Sequence, residues 1–207
     1  MNGDRLIWVD CEMTGLDLGA DALVEIAVLV TDFDLTVLGD GVDLVIKPPE
    51  TALAQMSEQV RQMHTESGLI ELLEGGVTLA EASDAVLAYV RQHVPDLHRA
   101  PLAGNSVHVD RAFLARDLPD VEAAVHYRNV DVSTVKELAR RWFPRAYFAS
   151  PEKTGNHRAL GDIQDSIREL RYYRRTVFVP EPGPDTETAR AVASGVLATD
   201  SGAVTAS

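Results

Sequence analysis

The chain has 207 residues, 45% of them hydrophobic and 25% charged, with a formal net charge of −13. This is the composition of a soluble globular domain with one core of ordinary size, and no apolar run reaches the roughly 18–20 residues of a membrane-spanning helix, which argues against a membrane partner. The acidic balance also argues against a binder of long polynucleotides, which are held through many Lys and Arg contacts to phosphate; it leaves either no nucleic acid or a very small one, met through local basic groups and bound cations. No basic, apolar and cleavable leader opens the chain, and Cys11, the single cysteine, has no partner for a disulfide; both lead to the expectation of a reducing, cytoplasmic setting.

The first elements read as sheet: an apolar run over 5–12, a longer Val/Ile/Leu run over 22–31, and a third over 37–47 that Pro48 and Pro49 end. Their short connections predict antiparallel neighbours. Residues 51–73 read as broken helix, with Gly68 in its path, and 78–93 as a clean one whose Leu79, Ala82, Val86, Leu87 and Val90 share a face. A short strand at 101–105 then leads into a helix over 109–116, a strand over 127–132 into a helix over 133–142, and a last helix spans 159–176 with Leu160, Ile163, Ile167 and Leu170 as its stripe. Three strands followed by helix–strand–helix–strand–helix predict a mixed α/β domain with the later strands parallel. Beyond Pro180 the chain is rich in Pro, Gly, Ala, Thr and acids and lacks aromatics, so residues 181–207 are expected to be a mostly disordered tail on a domain of 1–180. Trp8 and Trp142 are expected in the core, and the arginines from Arg168 to Arg175 on a solvated face.

Several acids stand in informative places. Asp10 and Glu12, in WVDCEMTGLD, are two apart on a strand and therefore share a face, with Cys11 opposite. Two like charges side by side are costly unless a positive group lies between them; the plain alternative is a strand end opening to solvent. Asp110, in AGNSVHVDRAFL, stands near a helix start, where an Asp also serves as an ordinary cap. Asp162, in HRALGDIQDSI, is one residue before core-facing Ile163 and reads equally as a surface acid. His157 is five residues earlier, about 140° away on a continuous helix, so the two converge only if His157 precedes the helix proper, as Gly155–Asn156 suggest.

Taken together in this order, Asp10, Glu12, Asp110, Asp162 and His157 resemble the three motifs of the DEDD exonuclease superfamily in its histidine variant. The blocks WVDCEMTGLD, AGNSVHVDRAFL, HYRNVDVSTVKELARRW and HRALGDIQDSIRELRYYR resemble its oligoribonuclease family from residue 5 to about 178. The fold implied is α/β and ribonuclease H-like, a mixed five-stranded sheet flanked by helices. The activity implied is 3′→5′ hydrolysis of very short oligoribonucleotides, dinucleotides favoured, to 5′-mononucleotides. Such chemistry needs an activated water and a stabilised leaving oxygen, which two divalent ions supply; the four acids Asp10, Glu12, Asp110 and Asp162 suit Mg²⁺ or Mn²⁺, two per site. His157 is then the general base, for which the ordinary histidine pKa is apt.

The acidic surface fits a substrate with few phosphates. Leu16, after Gly15, is a candidate wedge between two bases, or else a buried loop residue, and His64 a candidate nucleotide contact. Ser133 and Thr134 open a helix, where free N–H groups favour phosphate; with Arg128 and Ser106 they are expected to receive the terminal 5′-phosphate, unless Ser133 is only an N-cap. From residues alone, Tyr127 is a core or edge tyrosine. The resemblance implies that it reaches a partner subunit's active site, and so a homodimer.

Overall fold

A computed structural model of the chain describes residues 4–153 and 157–203. Strands β1 (Arg5–Met13), β2 (Leu23–Asp32), β3 (Val37–Val45), β4 (Pro101–Gly104) and β5 (His126–Asp131) form one five-stranded sheet in the order β3-β2-β1-β4-β5. The first three strands pair antiparallel, whereas β1–β4 and β4–β5 are parallel. Nearest-neighbour connections along the early meander, and helical crossovers later, produce this mixed sheet as the sequence pattern anticipates.

Side-chain alternation along β1 and β2 builds a core on each face. Ile7, Val9, Ile26, Val28 and Val30 pack on one side with α3 (Leu79–His93), α4 (His108–Asp117) and α5 (Pro119–Ala124). Leu6, Trp8, Ala27 and Leu29 pack on the other beneath Ala159, Ile163 and Ile167 of α8 (Ala159–Thr176). Trp8 is fully buried and its indole N–H donates to Thr31 Oγ1 at 2.9 Å. The broken helix resolves into α1 (Glu50–Gln55) and α2 (Glu58–Glu66), with Gly68 just past the end of α2 at φ +74°, the left-handed position that terminates a helix. Helices α6 (Val132–Trp142) and α7 (Pro144–Phe148) follow β5 directly.

Two expectations change. Trp142 is 67% exposed, as are its neighbours Phe143 and Phe148 in large part, so it is no core residue; α6 buries only Val132 and Ala139. The tail forms α9 (Thr186–Ala203) rather than irregular chain. Asp185 accepts the Thr188 N–H at 2.7 Å, and alanine-rich sequence propagates a helix so capped. The side chains of α9 are exposed as far as Ala198. Among the described residues no helix is long and apolar enough to cross a membrane.

Chain direction places the functional region. From β1 the chain turns toward β2, and from β4 it proceeds toward β5, so the carboxyl ends of the parallel pair β1–β4 form a switch point where the connections diverge. The end of β1 is marked by a register shift between Glu12 and Met13, a local bulge of the kind that re-aims side chains next to active sites.

Candidate active site

Asp10 and Glu12 continue the face of β1 that carries Leu6 and Trp8, which α8 covers. Asp162, in the first turn of α8, meets them there: one ligand atom from each of Asp10, Glu12 and Asp162 lies within 4.8 Å of the others. His157 is exposed and precedes α8, as convergence with Asp162 requires, and it holds φ +47°. Its imidazole is close enough to Asp162 to act on that carboxyl, pulling it toward ionisation. Gly155 and Asn156, the lead-in suggested by sequence, lie outside the described residues.

The fourth acid approaches from the other side of β1. Asp110 sits in the first turn of α4, 6% exposed, and its Oδ1 accepts the Cys11 backbone N–H at 2.9 Å. It is not an N-cap. Asp10, Glu12 and Asp110 line one cleft of about 340 Å³ with Leu16, Met63 and Ser106. A larger groove of about 700 Å³ lies at the far end of α8 between Arg171, Arg174 and Phe178. There Arg174 is already paired with Asp34 at 3.2 Å and with Glu181, so size alone does not identify the site.

The acids resist ionisation. Burial, then the charges of Asp110, Asp162 and Glu12, push Asp10 up to about 9, with Lys153 opposing. Burial, then Asp162, Glu25 and Asp110, push Glu12 up to about 8. Burial raises Asp110 to about 7 against the stabilising Cys11 N–H, and burial also raises Asp162, against Lys153 and His157. Such a cluster of hard oxygen donors, short of positive charge, has the chemistry that suits Mg²⁺ or Mn²⁺. The residues present therefore fit divalent cations.

Leu16 is 73% exposed at the cleft, not buried in its loop. Its loop is held from within: Asp21 accepts the Thr14 hydroxyl and the Asp17 N–H, each at 2.9 Å, and Ala22 N–H donates to Thr14 Oγ1 at 3.0 Å. A Cβ on Gly15 would lie 2.3 Å from Asp21 Oδ2, so only glycine lets this carboxylate sit beneath the turn.

The remaining expected contacts divide. Ser106 and Ser133 meet, hydroxyl to hydroxyl at 3.2 Å, and Thr134 is exposed beside Ser133. Asp131, however, is the N-cap of α6 and accepts the Ser133 N–H at 2.9 Å and the Ser106 N–H at 3.0 Å. Ser133 is thus neither the cap nor a donor of a free N–H. Arg128 does not join them: it lies near the start of β5, about three residues or 10 Å up-strand of Asp131, with its guanidinium 5.4 Å from the centroid of Tyr127. Tyr127 is 72% exposed and lies outside its own chain's cleft. His64, expected near the nucleotide, is instead fully buried behind Glu12. Its Nε2 is 2.9 Å from the Met13 carbonyl and its Nδ1 4.0 Å from Glu12 Oε2.

Sequence reasoning missed Lys153, Asp21, and the pair Glu25–Arg158. Glu25 carried a legible signal, an acid within the continuous apolar run LVEIAVLV; a buried carboxylate demands a partner, but nothing local named Arg158.

A model of the RNase T exonuclease family matches residues 7–170. The chain is 65% identical over 195 residues to an oligoribonuclease of Streptomyces griseus, covering 94% of this chain and 97% of that one. It is 58% identical over 196 residues to an oligoribonuclease of Leifsonia xyli subsp. xyli, covering 95% of each. Among solved structures, exonuclease I from Methylocaldum szegediense superposes with a TM-score of 0.62 at 20% identity, over 84% of this chain and 41% of that one. The zinc-bound complex of E. coli exonuclease I with single-stranded DNA gives 0.65 at 13% identity, over 85% and 41%. This chain spans about two fifths of those two proteins, and the likeness to them concerns the fold.

Proposed function

Because the chain belongs to the exonuclease family, and within it to the oligoribonucleases, we propose that it removes 5′-mononucleotides from the 3′ end of very short RNA, dinucleotides above all, with two divalent cations per site. The observation that carries this reading is the convergence of Asp10, Glu12 and Asp162 within 4.8 Å, beside a cleft that Leu16 overhangs. The activity belongs to residues 1–180. A reducing, cytoplasmic setting suits a chain whose single cysteine, Cys11, is buried and free.

Asp10, Glu12 and Asp162 are the residues that would hold the cations, and Asp110, which lines the same cleft as Asp10 and Glu12, would be the fourth. Divalent cations bound there would supply the positive charge that acidifies an attacking water and stabilises a leaving oxygen. His157, exposed and within electrostatic reach of Asp162, takes the proton from that water. The resulting hydroxide oxygen forms the new P–O bond, the P–O3′ bond breaks, and the departing 3′ oxygen recovers a proton. Leu16 separates the two bases and so orients the scissile phosphate. Ser106, Ser133 and Thr134 offer hydroxyls to the 5′-phosphate. The Ser133 hydroxyl donates to Asp131 Oδ1 at 2.6 Å, so a 5′-phosphate arriving there must displace that bond against the charge of the Asp131 carboxylate.

A homodimer accounts for Tyr127. Tyr127 is 72% exposed, and Trp142, Phe143 and Phe148 later in the chain are exposed as well, which leaves aromatic surface for a partner to cover. Reaching a partner's cleft would carry Arg128, stacked on Tyr127, to the partner's substrate. With a net charge of −13, long RNA is repelled far more than a dinucleotide, which carries few phosphates. The test is hydrolysis of labelled RNA from two to about ten nucleotides with Mn²⁺, with and without chelator. A rate that survives chelation removes the metal, and a rate that rises with length removes the dinucleotide preference.

A further inference from the structure

Glu25 lies directly across from Glu12 in the β1–β2 register, fully buried on the face covered by α8. Both of its oxygens are taken, and by consecutive residues. Oε1 accepts from Arg158 through Nε at 2.7 Å and Nη2 at 2.5 Å, and Oε2 accepts the Ala159 N–H at 3.0 Å. Glu25 is thus engaged at both oxygens by the start of α8, although it neighbours the acids that converge on the candidate cation site.

Its partners mark the start of α8. Arg158 is the N-cap residue of that helix and makes no side-chain cap bond of its own. The first helical N–H is satisfied by Glu25, a carboxylate supplied from a strand far away in sequence, in the position where negative charge and an acceptor are both favourable. Immediately before it, His157 holds φ +47°, a conformation uncommon for a residue with a Cβ and kept only where the surroundings over-determine it. A grip on residues 158 and 159 is such a constraint. It ends the loop and starts the helix at one point, which sends His157 outward, while Asp162 is held separately by the packing of Ile163 and Ile167 against the sheet.

We infer that Glu25, with Arg158, is a positioning residue for His157, the two-point clamp that aims its imidazole at the attacking water. The inference rests on His157 being the base. Glu25→Gln preserves size and removes the charge: its amide has one acceptor oxygen, so one of the two grips fails. A base displaced by about an ångström costs on the order of tenfold to a hundredfold in rate. On a dinucleotide at saturating Mn²⁺, Glu25→Gln should lower kcat by about that factor, with KM held within about twofold.

A double-mutant cycle separates positioning from simple structural support. In a His157→Ala background, adding Glu25→Gln should change the residual rate by less than about twofold, since no imidazole remains to be misplaced. An equal loss with and without His157, or a Glu25→Gln enzyme with undiminished kcat, overturns the inference. Should Glu25→Gln not fold, as judged by circular dichroism, Arg158→Lys runs the same cycle. It keeps the charge and loses the guanidinium fork, with an expected loss of about threefold to tenfold that vanishes without His157. A His157→Ala enzyme that alone retains its kcat refutes the base and the clamp together, and that result needs no substitution at Glu25.

Discussion

Asp21 touches no proposed cation site, yet its loss should weaken dinucleotide binding. Its carboxylate ties down Thr14 Oγ1 and Asp17 N–H at 2.9 Å each, and these two bonds shape the turn that projects Leu16 into the cleft. In this half-open setting each is worth about 1 kcal/mol, so Asp21→Ala withdraws about 2 kcal/mol from the ordered loop. If Leu16 must be in place to seat two bases, the competent fraction falls and KM for a dinucleotide rises by about 5- to 30-fold. Hydrolysis of bis(p-nitrophenyl) phosphate, which has no bases to separate, should stay within about twofold of the parent. The melting temperature should fall by at most about 4–8 °C, the equivalent of those two bonds. Gly15→Ala should behave alike, its methyl falling 2.3 Å from Asp21 Oδ2. Combined with Asp21→Ala it should cost less than the sum, since the clash has gone. Equal losses on both substrates, or a dinucleotide KM unchanged by Asp21→Ala, would refute the reasoning.

The raised carboxyls make metal binding a proton-releasing event. With Asp10 near 9, Glu12 near 8 and Asp110 near 7, Mn²⁺ should expel about two protons at pH 7 and bind more tightly as pH rises to about 9, as read by titration calorimetry in buffers of different ionisation enthalpy. Heats independent of the buffer would contradict it. The same groups hold protons in the fold that the unfolded chain releases above its ordinary carboxyl range near pH 4. Their stabilisation is therefore complete below that range and is lost as pH climbs through the folded values, so the metal-free melting temperature should fall between about pH 5 and 9, and Mn²⁺ should blunt the fall. Trp8→Phe leaves a cavity and strands the Thr31 hydroxyl, for about 2–3 kcal/mol and a melting temperature about 5–10 °C lower; a shift under about 2 °C means that Thr31 finds another partner. Tyr127→Ala and His157→Ala proteins should each be nearly inactive, and mixing them after subunit exchange should restore about a quarter of the activity, through the one complete site of the mixed dimer. No recovery on mixing places Tyr127 outside the partner's site.

Much of the fold was legible because strands and amphipathic helices are written in short-range periodicity. The alternation that sends Asp10 and Glu12 to one face needs no information beyond three residues of strand. His157 ahead of the helix followed from 3.6-residue geometry once it was required to meet Asp162. Trp142 was misjudged because apolar residues inside is a one-way rule: whether a large aromatic is core depends on what covers its helix. The tail was misjudged because lack of an apolar face argues against docking, while alanine content and the Asp185 cap argue for local helix, and the latter prevailed.

What the sequence determined by itself is therefore local: the sheet and helix order and the shared face of the two β1 acids. The tertiary structure alone decided which helix lies over which face of the sheet, and with it the meeting of Asp162 with β1, the approach of Asp110 to the Cys11 backbone, the burial of His64 and the separation of Arg128 from Ser133. The partner of Glu25 lies 133 residues away. Charge pairing, unlike periodicity, carries no record of sequence distance, so only the folded chain can name it.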